Sequence, residues 1–389
     1  MARILLAWEF GGNFGHLTQL LPLAKHLRAA GTRADLRAVR RNARRSGARP
    51  ARFRLLSGAG VATARRASGG GAVQLLRNPP SLRLSRTRRP ARHGEGLARD
   101  LRHVAPEVVV FDHAPTALLA ARGLEAARVI CGVGFCSPPR VQPLPNFRTW
   151  EEVPRARLGS SEAQVLDTVN AALAQLRLRT IAAVHELFDA DEEFLCTFPE
   201  LDHYSARPHG RYCGPVFARD EGDEAEWPDA GSKRVYVHLR PEMAAFDAVA
   251  EALSDSGESV LWVAPGLPDA RIKRYAKRAL RFVRRPVRLA DIAAHADAAV
   301  LYGGHGTVAA MLLAGIPMAL YPAHVEQALV TRNAVRIGAA AGAPSQADAA
   351  KLRRPLEAVL RDARLKEAAR TRSRRSLTST GRRDTVGRA

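Results

Sequence analysis

The feature that most constrains the fold is an alternation, present in both halves of the chain, of short, mainly apolar runs with segments whose apolar residues recur at helical spacing. Residues 4–8, 108–111, 127–133, 234–239, 259–263, 298–302 and 317–321 are such runs. Strands this uniformly apolar are covered on both faces, as in a parallel sheet flanked by helices. Helical spacing over 17–30, 114–123, 160–188, 242–254, 289–295, 306–314 and 326–337 supplies the crossovers. At 389 residues the chain is long for one domain, so an α/β protein of two doubly wound, Rossmann-like domains is expected. Residues 1–218 and 233–389 form these domains. The acidic, Gly- and Pro-containing stretch 219–232 reads as the linker, and strands near 194–197 and 212–217 precede it.

Charge is concentrated rather than spread. The formal net charge is +22, but residues 36–94 hold 16 Arg with no Lys and no acid, and residues 351–389 hold 13 basic residues against 4 acidic ones. Everything else sums to −3, so the body of the protein is not basic. The stretch 36–94 lacks helical or strand period and carries a single aromatic, Phe53. Three readings of it stand side by side: a solvated insertion, a nucleic-acid or phospholipid arm giving peripheral membrane contact, or a translated wrong frame of a GC-rich gene, which the tail after Ala369 resembles. Without stacking aromatics, a nucleic-acid partner is not expected.

Four cysteines, Cys131, Cys136, Cys196 and Cys213, form no C-x-x-C pair and no zinc-spaced cluster with His. A reducing compartment follows. No apolar run approaches the ~20 residues of a membrane span, and a cytoplasmic location is expected.

Two places carry chemistry. The loop 9–16, rich in Gly, follows the first strand and ends at His16, at the carboxyl end of a parallel sheet where α/β proteins bind ligands. Asp112 closes another strand of the same sheet. Imidazole, with a reference pKa near ~6.5, suits a general base for a hydroxyl, and a carboxylate on its far nitrogen stabilises the imidazolium. The alternatives are a loop-capping role for His16 and a helix cap for Asp112. The second place runs from Tyr302 through Gly303, Gly304, His305, Gly306 and Thr307, then Gly315-Ile316-Pro317, Pro322, Glu326-Gln327 and Asn333. Glycines at a strand-to-helix turn let amides approach a phosphate, and the helix dipole favours it. Glu326 and Gln327 are placed to bond sugar hydroxyls, while His305 is expected at the phosphate. Arg240, after the strand 234–239, is a candidate to neutralise a diphosphate.

These motifs resemble those of the family 1 glycosyltransferases. The family's carboxy-terminal pattern, His-Gly-Gly-x-Gly-Thr with an acidic-Gln pair and a following Asn, is matched by Gly303, Gly304, Gly306, Thr307, Glu326, Gln327 and Asn333. The likeness also takes in the loop 11–16 with Pro22, Val110-x-Asp112 and Tyr212-x-Gly214-Pro215, and so spans both halves. It implies a GT-B architecture whose two domains face across a cleft, the first for acceptor and the second for donor. It further implies an inverting, metal-independent transfer from a UDP- or dTDP-linked sugar to a small-molecule or lipid-linked hydroxyl, with no cofactor and with His16 and Asp112 as the dyad. Tyr302 stands where the family has His, and Arg285-Pro286-Val287-Arg288 replaces its Trp and Pro-Gln around the base, leaving Val287 at that loop. Asp189-x-Asp191 has the form of a metal-binding D-x-D pair but ends a helix with no glycine turn, and reads as a solvated helix end. The rival functions are a catalytically degenerate nucleotide binder, a polyanion-binding protein and a nucleotide-sugar epimerase.

Overall fold

A computed structural model describes residues 2–9, 15–39, 98, 101–216 and 220–384, with side chains at 15–18, 33–39 and 374–384 outside the description. The Arg-rich stretch therefore lies almost wholly outside the described residues, as does the loop 10–14. The chain divides into two units, residues 1–199 with 204–216, and residues 200–203 with 217–389. Four residues that precede the end of the first unit thus belong to the second.

The first unit holds a parallel five-stranded sheet in the order β2-β1-β3-β4-β5. Its strands are β1 (Arg3–Glu9), β2 (Arg33–Val39), β3 (Val108–Asp112), β4 (Ala127–Gly132) and β5 (Glu192–Leu195). Among the described residues, its helices with assigned bounds are α1 (Gly15–Ala29), α2 (Pro115–Ala121) and α3 (Arg155–Gln175). The chain moves from β1 to β2 on one side and then to β3 on the other, so the winding reverses between β1 and β3. A crevice opens at such a reversal, outside the carboxyl ends of the two strands. The interior side chains Leu5, Phe111, Leu118, Leu173 and Leu187 close one face of the sheet, while Leu6, Trp8, Leu20 and Val110 close the other.

The second unit repeats the architecture with six parallel strands in the order β11-β10-β9-β6-β7-β8. These are β6 (Arg234–His238), β7 (Ser259–Val263), β8 (Leu280–Val283), β9 (Ala298–Leu301), β10 (Met318–Leu320) and β11 (Ala340–Gly342). They alternate with α4 (Phe246–Ser254), α5 (Asp269–Tyr275), α6 (Leu289–His295), α7 (His305–Ala314), α8 (Val325–Arg336), α9 (Ala349–Arg361) and α10 (Ala363–Asp384). Here the winding reverses between β6 and β9. All five side chains of β7 are buried. Trp262 anchors this core, its ring 4.6 Å from Phe246 and 5.2 Å from Phe282. Its indole N–H donates to the Leu239 carbonyl at 3.2 Å, so burial strands no donor.

Several sequence expectations are corrected. The single helix expected over 160–188 stops at Leu176, because Arg177 turns to φ 57° and the Asn170 side chain both donates to and accepts from the Ile181 backbone at 2.9 Å. A short 3₁₀ turn, Val184–Phe188, follows. The apolar spacing continues through the break, which hid it. Among the described residues 212–216, the strand expected over 212–217 is one bridge, Leu195 to Tyr212. The helix expected from 242 starts at Phe246, and α5 and β8 were not anticipated.

The expected linker is bound to the second unit in its described part. Asp223 N–H donates to the Pro286 carbonyl, the Asp223 carbonyl accepts from Arg288, and Ser259 Oγ donates to the Pro228 carbonyl. The start of the basic tail is packed as well. Helix α10 runs through it, Ala369 is fully buried, Ser373 Oγ donates to Leu313, and Arg372 pairs with Glu200 at 2.5 Å. The C-cap of α7, Gly315 at φ 70°, faces the Arg370 backbone, where a Cβ would lie 3.2 Å from Arg370 Cα. Packing against the second unit therefore holds the start of the tail.

Candidate functional site

In the second unit the winding reversal brings together the end of β6 and the end of β9. Tyr302, Gly303 and Gly304 connect β9 to α7. Gly303 sits at φ 83°, and a Cβ there would meet Thr331 Oγ1 at 2.8 Å and the Gln327 carbonyl at 3.0 Å. Only glycine fits that turn. Gly304 is the N-cap of α7, and a Cβ on it would press into the Tyr302 ring at 2.8 Å. The ten-residue helix then opens with His305, Gly306 and Thr307, whose amides have no intrahelical acceptor by the geometry of a first turn. Its dipole places partial positive charge at that point.

A side chain from the neighbouring strand end adds real charge. Arg240, two residues past β6, holds its guanidinium 5.2 Å over the Tyr302 ring. The His238 ring meets Tyr302 edge-on at 5.0 Å. Burial, with the field of Arg240, pushes the His238 imidazole down to about 4, so it is neutral near pH 7. His324, which opens α8 beyond β10, is shifted downward by burial and by the same guanidinium. One guanidinium, that of Arg240, and the α7 dipole therefore meet near the α7 amino end, a combination suited to a phosphate.

Other expected donor-site residues take more structural positions. His305 is 7% exposed, its ring 6.1 Å from that of His203, and burial followed by the field of His203 drives it down to about 3. Its ring is packed inward, so what it offers at the helix opening is its backbone amide. Gln327 is equally buried, and its Oε1 accepts from Ala323 N–H at 2.9 Å, which fixes the turn after β10. Glu326, beside it, is half-buried in the first turn of α8. Val287 is buried, with its backbone bridged to Asp223. Asn333 donates to the Asp202 carbonyl at 3.0 Å, holding the segment 200–203 against α8.

In the first unit the reversal lies between β1 and β3. His16 is the second residue of α1, immediately beyond the loop from β1, and its side chain is among those outside the description. Asp112 ends β3 in register with Trp8 of β1 and is 3% exposed. Its Oδ1 lies 3.0 Å from where a Cβ on Gly132 would stand, so a larger residue there would crowd the carboxylate. Asp112 thus stands at one of the two strand ends that flank the switch point, and His16 stands in the first turn of the helix that follows the other.

Glu9 is the residue the sequence analysis missed. It closes β1 and is 3% exposed. Its carboxylate accepts from Ala117 N–H at 2.5 Å and from Thr116 N–H at 3.2 Å, and its own N–H donates to the His113 carbonyl. Burial raises the carboxyl to about 7 against those lowering bonds. Glu9 therefore ties β1 to the turn that follows Asp112. An acid ending an otherwise apolar run was the available signal.

The D-x-D pair is engaged elsewhere. Asp189 lies 3.7 Å from Arg140 and Asp191 accepts from Arg128 N–H at 2.7 Å. Among the described residues, no group of three or more His, Cys, Asp or Glu is placed to hold a metal ion. No described helix is long and apolar enough to cross a membrane. The thiols of Cys131 and Cys196 lie 3.4 Å apart, in hydrogen-bond contact and without a disulfide.

No family model matches the chain. No curated protein matches it either. Solved structures do. The glycosyltransferase SnogD from Streptomyces nogalater aligns over 96% of this chain and 94% of its own, at 20% identity and TM-score 0.59. CalG4, the calicheamicin glycosyltransferase, aligns over 97% and 95%, at 19% identity and TM-score 0.68. The glycosyltransferase VinC, solved in complex with dTDP, aligns over 95% and 94%, at 16% identity and TM-score 0.62. The fold is the GT-B fold of these proteins.

Proposed function

We propose that the protein is an inverting glycosyltransferase that moves a sugar from a nucleoside diphosphate to a hydroxyl of a small-molecule or lipid-linked acceptor. The observation that carries this reading is topological: each motif set stands at the switch point of its own sheet. In the second unit that point gathers the α7 amides and Arg240, a set suited to a diphosphate. In the first it carries His16 and Asp112.

In the proposed step His16 takes the acceptor proton as the acceptor oxygen attacks the anomeric carbon. The bond from that carbon to the diphosphate oxygen breaks on the opposite face, so configuration inverts in one displacement. Asp112 stabilises the imidazolium. The leaving diphosphate gains negative charge, which the α7 dipole, its first-turn amides and Arg240 stabilise without a metal ion. The dTDP in the VinC structure makes a thymidine diphosphate sugar the first donor to test, beside UDP sugars.

A thermal-shift screen with UDP, dTDP, GDP and ADP tests the donor half, because a ligand bound by the native state raises its melting temperature. Expected is a rise with UDP or dTDP. Transfer is then followed with the matching sugar donors and a hydroxylated acceptor panel, and the product's anomeric configuration is read by NMR. Activity that persists in excess chelator is expected. No shift with any nucleotide overturns the donor site; a product of retained configuration overturns the inverting mechanism. Nucleotide binding without transfer across the panel favours the degenerate binder.

A further inference from the structure

The ring of Tyr302 is flanked on three sides. Arg240 covers its face at 5.2 Å, His238 meets it edge-on at 5.0 Å, and Gly304, the N-cap of α7, leaves space into which the ring projects. Among the described residues, the one carboxylate within ion-pair distance of Arg240 is that of Glu242, at 4.0 Å, the limit of such a contact. The guanidinium, about a third exposed, is therefore held by an aromatic face and not consumed by a close acid. Most other described arginines with a charged partner sit much closer to it, as Arg271 does to Asp247 at 2.5 Å.

We infer that Tyr302 serves the donor site through its ring face, as the platform that aims Arg240 at a nucleoside diphosphate beside the α7 amino end, and that Arg240 is the side chain that recognises the charge. The inference rests on the proposed donor site and deepens it. An imidazole in the motif's leading position would donate one hydrogen bond to phosphate. Here the aromatic ring instead positions a fixed cation with several planar donors, suited to two oxygens of one phosphate. His238 backs the ring, and being neutral it adds no competing charge. Tyr302 is in this sense a positioning residue.

The test measures UDP and dTDP affinity by calorimetry in the full chain, with melting temperature as the check on folding. Arg240→Gln is expected to weaken binding at least ~10-fold and to flatten its salt dependence, as loss of a charge-assisted phosphate contact does. Tyr302→Leu is expected to weaken binding ~3- to 30-fold, the range of a lost cation–π platform, with Tyr302→Phe recovering most of the loss. In the Tyr302→Leu background the effect of Arg240→Gln should shrink, because the two residues act as one unit. Two results overturn the inference: Tyr302→Phe as weak as Tyr302→Leu, which makes the hydroxyl the ligand, or fully additive losses. If the unmodified chain binds neither nucleotide, the donor-site reading fails first and on its own.

Discussion

The Glu9 carboxylate accepts from the Ala117 amide at 2.5 Å, across 108 residues of sequence, and so ties the end of β1 to the first turn of α2. Asp112 ends β3, the strand that pairs with β1 and leads into α2. Replacing Glu9 with Ala leaves the buried Ala117 amide and the half-buried Thr116 amide without this acceptor; a fully buried orphaned donor costs about 1–3 kcal/mol and a half-buried one less. Glu9→Ala is therefore expected to lower stability by about 2–4 kcal/mol in denaturant unfolding. Transfer should fall by more than this loss of folded protein explains, with kcat affected before donor affinity.

The same carboxyl predicts a pH dependence. Burial raises it to about 7 in the folded chain, above the 4.5 of an exposed glutamate. The native state then binds the extra proton between those values, so this group's contribution to stability is full below about 4.5 and is lost as pH rises toward 7. Glu9→Gln, which cannot ionise, is expected to lack that decline when melting temperature is followed from pH 5 to pH 8.

His305 acts in the opposite sense. Its imidazole, held down to about 3 by burial and then by His203, is neutral in the native state while an unfolded histidine protonates near 6.5. Stability from this group is present above about 6.5 and drains as pH falls toward 3. His305→Gln should flatten the acid side of the melting curve, where Glu9→Gln flattens the neutral side. An acid limb identical to that of the unmodified chain would contradict the buried placement.

His16→Ala is expected to keep the thermal shift given by UDP or dTDP while transfer drops roughly 10²- to 10⁴-fold, the usual worth of a general base. Normal transfer by this variant would remove His16 from the mechanism.

Gly303→Ala forces a side chain into φ 83° and against Thr331 and Gln327. A left-handed residue with a Cβ costs about 1–2 kcal/mol before the clash is counted. Nucleotide affinity should fall with it, since the turn sets the α7 amides. Ala369→Asp tests the tail: a charge in the fully buried site of α10 should destabilise the second unit by several kcal/mol, read as a lower unfolding midpoint. Tolerance of the aspartate would mean that α10 does not pack there.

The alternation of apolar runs and helical spacing determined the two doubly wound units, because a strand covered on both faces must be apolar throughout, as the five residues of β7 are. The Gly303-Gly304 turn was legible for a similar reason: positive φ and a missing Cβ are written as glycine. Sequence order could not say which strand ends meet. The reversal that sets Arg240 beside Tyr302, 62 positions apart, and Asp112 beside β1 follows from hydrogen-bonded strand order. Nor could it show that the His305 ring turns inward, or that Gln327 spends its oxygen on Ala323, since direction of a side chain depends on what packs against it. Glu9 was passed over because a carboxylate is read as solvated until the amides that bury it are known, and Thr116 and Ala117 come from a helix more than a hundred residues away. Local chemistry is carried by residue type and spacing; the partners that give a polar group its role are supplied by long-range pairing alone.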